Sequence, residues 1–168
     1  MNINSFLLRC DNHKFIYAGR IIKDESIKKT HFKFSPHANF KNIKGNIVYI
    51  ITKNNNIVKI GGSKNGWNSR WNSYLCGRHS LEMGGSGKCS VTNKNVYSWL
   101  METLKHDNDV EIYVWTIPSV IIQRNVLGID VEIKATIYEV YETRLIELYF
   151  KINSSKPELN YNSDPSYR

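Results

Sequence analysis

The spacing of apolar and polar positions divides the chain into short strands and a few amphipathic helices. Residues 6 to 41 read as short strands and loops, with Lys23, Lys28, Lys29, Lys33 and Lys41 scattered among them. The clearest signal follows, NIVYII then TKNNN then IVKIGG: two β-branched runs joined by asparagines that tolerate a left-handed turn, which predicts a β-hairpin. After Gly61 and Gly62, Trp67, Trp71, Tyr74 and Leu75 recur at helical spacing, with Ser63 or Asn65 available as an N-cap. Residues 77 to 92 read as a glycine-rich loop, and a second helix is expected over about 95 to 106. Strands are expected at 110–117 and 131–136, then a strong helix over about 137–152 and an irregular C-terminus. The order is strand, strand, helix, helix, strand, strand, helix. It predicts an α+β protein with a small antiparallel sheet. Without repeats or linker tracts, residues 1–168 are expected to form a single domain.

Composition narrows the possible functions. With 168 residues, 41% hydrophobic and 12% aromatic, the chain has material for one core and excludes a multidomain machine, a collagen or a low-complexity tract. Its longest apolar runs fall far short of 18 residues, so no membrane partner is expected. The net charge of +8 and pI near 9.4 favour a polyanionic partner such as nucleic acid. Cys10, Cys76 and Cys89 form no short-spaced pair, and an odd number cannot close a disulfide framework. A reducing compartment follows, and the opening MNINSFLLRC has too short an apolar stretch for a signal peptide, so the expected location is cytoplasmic.

Three local constellations carry chemistry. If the hairpin loop has three residues, Tyr49 falls opposite Lys59, and an ammonium at that distance favours the phenolate. Arg70 and Tyr74 are four apart on the helix after the glycines, at the edge of its buried face, where a guanidinium can neutralise charge building on a phosphorane-like transition state. On the last helix, Ile137, Tyr141, Leu145, Leu148 and Ile152 form the core stripe. Glu142 lies about 100° from its centre, whereas Glu139 and Glu147 fall in more solvated directions. Glu142 is therefore the semi-buried acid suited to a hard cation such as Mg²⁺. The GGSGKC run lacks the first glycine and the Ser/Thr of a P-loop, Cys76 and His79 alone do not make a zinc site, and Ser63 and Ser73 have no recognisable His/Asp partners.

Taken in order, VYII, VKIGGS with its Lys ten residues after the Tyr, Arg70, Tyr74, the helical Glu142 followed by LI, and KPELN resemble the GIY-YIG nuclease superfamily over about residues 45–160. The resemblance implies a three-stranded antiparallel sheet flanked by helices, with N-terminal and loop embellishments. It also implies phosphodiester hydrolysis with one divalent ion, Mg²⁺ or Mn²⁺, leaving 5′-phosphate and 3′-hydroxyl ends. By position, Tyr49 would be the general base or orient the water, Gly61 would match the second half-motif, Arg70 the motif arginine and Glu142 the metal ligand. Lys59 replaces the second motif tyrosine, Tyr74 stands where His is frequent, and Ile47 stands where the leading glycine would be. The first two variants resemble those of some restriction enzymes and related phage proteins.

The size and plan resemble a compact type II restriction endonuclease acting on double-stranded DNA, which implies a homodimer and a companion DNA methyltransferase. Arg20, Arg78 and Lys88 are the candidate DNA-binding residues. A phage-type nuclease of low specificity and a catalytically idle nucleic-acid binder are the alternatives.

Overall fold

The computed structural model describes residues 1–10, 14–24, 26, 32–41, 44–78 and 89–160. The elements in chain order are α1 (Ile3–Leu7), β1 (Ile16–Lys23), β2 (Phe32–Pro36), β3 (Ile47–Lys53), β4 (Asn56–Ser63), α2 (Gly66–Leu75), α3 (Val91–Thr103) with a 3₁₀ turn (Leu104–His106), β5 (Val110–Thr116), β6 (Val120–Val126), β7 (Ile129–Ala135) and α4 (Tyr138–Asn153). Five strands form one antiparallel sheet in the order β2-β1-β5-β3-β4.

Helices cover both faces of this sheet. On one face Tyr49, Ile51 and Val114 pack with Trp67, Trp71 and Tyr74 of α2 and with Val96 and Leu100 of α3. On the other, Val48, Ile50 and Ile60 pack with Phe6 of α1 and with Leu145, Ile146 and Tyr149 of α4. A strand covered on both sides has no solvated face, which is why the NIVYII run is apolar without alternation and why residues 47–52 are all buried.

The α+β class and the antiparallel pairing hold, but the three-stranded sheet does not. The N-terminal segment supplies β1 and β2, and β1 pairs with β5, so the sheet is extended to five strands. A further strand not foreseen in the sequence, β6, pairs only with β7 in a separate two-stranded ribbon. One face of that ribbon carries Val120, Ile122, Arg124, Val126, Ile129, Val131, Ile133 and Ala135, and the other carries Ile121, Gln123, Asn125, Asp130, Glu132 and Lys134. The helix expected from residue 95 starts at Val91, because Ser90 caps it by accepting the backbone N–H of Asn93 at 3.2 Å. The deepest positions of α4 are Leu145, Ile146 and Tyr149, so its buried face is turned toward the Glu142 side of the expected stripe. No helix among the described residues is long and apolar enough to cross a membrane.

Candidate active site

The β3–β4 hairpin turns on Asn54 and Asn55, both at positive φ (49° and 64°), as a two-residue loop requires. The pairing runs Lys53 with Asn56 and Thr52 with Ile57, then shifts by one residue, so that Ile51 faces Lys59 and Tyr49 faces Gly61. The expected Tyr49–Lys59 pairing is therefore incorrect: the loop is one residue shorter than assumed and a bulge shifts the pairing by one more, an offset of two that keeps Lys59 on the face of Tyr49. Lys59 still shares the pocket, but its ammonium Nζ donates to the Leu159 carbonyl at 3.0 Å.

Gly61 is where the site gains its depth. A methyl group there would overlap the Tyr49 hydroxyl, and one on Gly62 would strike the Tyr138 ring and lie 2.8 Å from the Glu142 Oε2. Gly61 thus makes room for the Tyr49 ring across the hairpin, and Gly62 lets α4 bring Tyr138 and Glu142 down onto β4. From α2, Arg70 donates through Nη2 to the Gly62 carbonyl at 2.7 Å, and its Cζ lies 6.0 Å from the Tyr49 ring centre and 5.6 Å from that of Tyr74. The Tyr49 and Tyr74 hydroxyls are hydrogen-bonded to each other. From α4, Glu142 is half-buried while Glu139 is exposed, as the helical angle predicts.

Tyr49, Lys59, Arg70, Tyr74 and Glu142 all line one pocket of about 230 Å³. Burial pushes the Tyr49 phenol up to about 12, a rise that the Arg70 charge and the Tyr74 hydrogen bond oppose without cancelling. The cation acting on this phenol is thus Arg70 and not Lys59. Tyr74 is raised well above the usual phenol range, first by burial and then by Tyr49. Burial pulls the Lys59 ammonium down to about 8, with Glu142 acting in the opposite direction. One pocket therefore holds a fixed guanidinium, an easily discharged amine, two protonated phenols and a carboxylate.

Three contributions were not assigned from sequence. Asn160 lies within KPELN, a stretch used only as part of the ordered pattern. Its side chain accepts the Ile60 N–H at 2.9 Å and donates to the Ile60 carbonyl at 2.7 Å, closing the free edge of β4 as a neighbouring strand would. Asn93, 9% exposed, lines the pocket from α3, and its Oδ1 has no hydrogen-bond partner among the described residues. Tyr138 lines it from α4. Among the proposed DNA contacts, Arg20 is exposed on β1, two strands away from β3, and Arg78 follows α2; neither lines this pocket. Lys88 lies outside the described residues.

Two solved structures share the fold. The restriction endonuclease HPY188I, in complex with product DNA, aligns with a TM-score of 0.58 at 22% identity over 97% of this chain and 87% of its own. A mutant of bacteriophage T4 EndoII aligns with a TM-score of 0.62 at 20% identity over 95% of this chain and 99% of its own. No family model matches the chain, and no curated protein matches it. These findings overturn the assignment to the GIY-YIG superfamily: what the comparisons support is a fold shared with HPY188I and EndoII, on a five-stranded sheet.

Proposed function

We propose that the chain is a DNA endonuclease that hydrolyses phosphodiester bonds of double-stranded DNA with one divalent ion, Mg²⁺ or Mn²⁺, and that it acts as a sequence-specific type II restriction enzyme. The observation that carries this reading is the convergence of Tyr49, Lys59, Arg70, Tyr74 and Glu142 on one pocket in a chain of net charge +8. The fold shared with a restriction endonuclease solved with product DNA supports it.

The donor set fits a magnesium-type ion. Among the described residues no group of three His, Cys, Asp or Glu makes a ready cage. Mg²⁺ does not need one, since it keeps several waters and takes one or two carboxylates together with substrate phosphate oxygens. Glu142 is the residue that would hold it, and the ion would supply charge neutralisation at the phosphate and its leaving oxygen.

The chain's own groups account for the rest. Arg70, fixed by the Gly62 carbonyl, presents a permanent charge to the phosphate oxygens as negative charge builds there. Tyr49 keeps its proton near neutrality, so it holds the attacking water in line and does not deprotonate it; its bond to Tyr74 holds the hydroxyl oxygen in place. Cutting both strands of a palindromic target calls for a homodimer, and a companion methyltransferase would protect host sites. Arg20, Arg78 and Lys88 are retained as candidate DNA contacts outside the pocket.

The test is digestion of plasmid DNA by the purified protein with Mg²⁺ or Mn²⁺, followed by mapping of the ends. Discrete fragments with 5′-phosphates are expected, and Glu142→Ala should abolish them while DNA binding persists. A smear would replace the restriction reading with a nuclease of low specificity, and no cleavage with either metal would refute the nuclease reading.

A further inference from the structure

The third cysteine leaves two others in contact. Cys76 caps the C-terminal end of α2 and Cys89 immediately precedes Ser90, the N-cap of α3. Although 13 residues apart in sequence, their sulfurs lie 2.8 Å from each other, against about 2.05 Å for a covalent bond. Both are partly accessible, so a small oxidant can reach them. Cys10 packs with the cluster on the opposite face of the sheet and cannot compete for either. Among the described residues no third metal-ligating side chain joins the pair. Helix α2 carries Arg70 and Tyr74, while Ser90, Thr92 and Asn93 at the start of α3 line the same pocket.

We propose that Cys76 and Cys89 are a redox-sensitive pair that closes to an intramolecular disulfide, tying α2 to α3 at the wall of the pocket. With glutathione disulfide as oxidant, one protein thiol loses its proton to solvent and attacks a sulfur of the oxidant. That releases one glutathione thiolate and leaves a mixed disulfide. The second protein thiol then loses its proton and displaces the remaining glutathione. The oxidant's S–S bond is exchanged for the protein's, two protein S–H bonds become two glutathione S–H bonds, and the electrons balance. The bond closes a loop of residues 76–89 and so restricts the unfolded chain, which should raise the melting temperature by roughly 5–10 °C. It also fixes the distance between the two helix ends that frame the site, and this does not depend on the chemistry the pocket performs.

The experiment uses the full chain, reduced and then exposed to excess glutathione disulfide. Alkylatable thiols should fall from three to one, the intact mass should drop by two hydrogens, peptide mapping should link Cys76 to Cys89, and the melting temperature should rise. Cys76→Ser and Cys89→Ser should each leave a glutathione adduct on the remaining partner, and the doubly substituted protein should lose the oxidant-dependent rise. Three persistent thiols, a link through Cys10, a stable glutathione adduct on the unsubstituted pair, or protection of both thiols by stoichiometric zinc would overturn the proposal.

Discussion

Replacing Lys59 by Met should remove a pH dependence from the stability of the fold. Lys59 is 5% exposed, and burial lowers its amine from 10.5 to about 8 despite the nearby Glu142. Below about pH 8 the amine is charged in both folded and unfolded chains, so the folded state carries the whole cost of a buried cation. Between about 8 and 10.5 the unfolded chain still holds a proton that the folded chain has released, and stability therefore rises with pH through that window. The difference, 10.5 − 8 = 2.5 units, corresponds to about 3 kcal/mol. Met keeps the length and bulk without the charge, at the loss of the hydrogen bond to Leu159, about 1 kcal/mol and independent of pH. Urea titrations of both proteins in metal-free buffer from about pH 7 to 10.5 measure the effect, because every other titrating group is common to both and cancels to first order. The native protein should gain about 3 kcal/mol on the Met variant across the window. Parallel stability curves would refute the reasoning, since they would mean that Lys59 is not held as a desolvated cation.

Arg70→Ala should lower the single-turnover cleavage rate by at least about 10²-fold with little change in the DNA dissociation constant, because a guanidinium aimed at developing charge contributes mainly in the transition state; a matching loss of affinity would assign Arg70 to simple binding. Gly62→Ala places a methyl 2.8 Å from the Glu142 Oε2 and against the Tyr138 ring, and it should impair cleavage as severely as Glu142→Ala while the far-ultraviolet circular dichroism stays native. Asn160→Ala leaves both backbone groups of Ile60 without their partner at a buried edge, a cost of about 2–4 kcal/mol in chemical denaturation; a loss under about 1 kcal/mol would show that water replaces the amide there.

Much of the fold could be read where one local rule dominated. The hairpin, α2 and α4 came from periodicity and turn chemistry, and the angular position of Glu142 on α4 was enough to single it out from Glu139. Tertiary facts were less accessible. The hairpin register depended on a bulge between Ile51 and Thr52 that no residue type announces. β6 follows a proline and is almost wholly exposed, so it lacks the one-sided burial that makes alternation legible. The extension of the sheet to five strands needed the pairing of β1 with β5, about 90 residues apart. In the site, side chains from different elements were individually visible, but their electrostatics were not. Sequence spacing placed an ammonium beside Tyr49, whereas packing placed a guanidinium there and buried the phenol deeply enough that desolvation outweighs its charge.

The amide of Asn160 meets Ile60 one hundred positions earlier in the chain. During synthesis from the N-terminus, Tyr49, Lys59, Arg70 and Glu142 have all been made before this clasp exists, so the free edge of β4 at Ile60 stays uncovered until the segment around residue 160 has cleared the ribosome. A nascent chain thus carries Tyr49, Lys59, Arg70 and Glu142 before the Asn160 side of the pocket is in place. If the chain is the nuclease proposed above, the order of manufacture itself delays the moment at which it could cut.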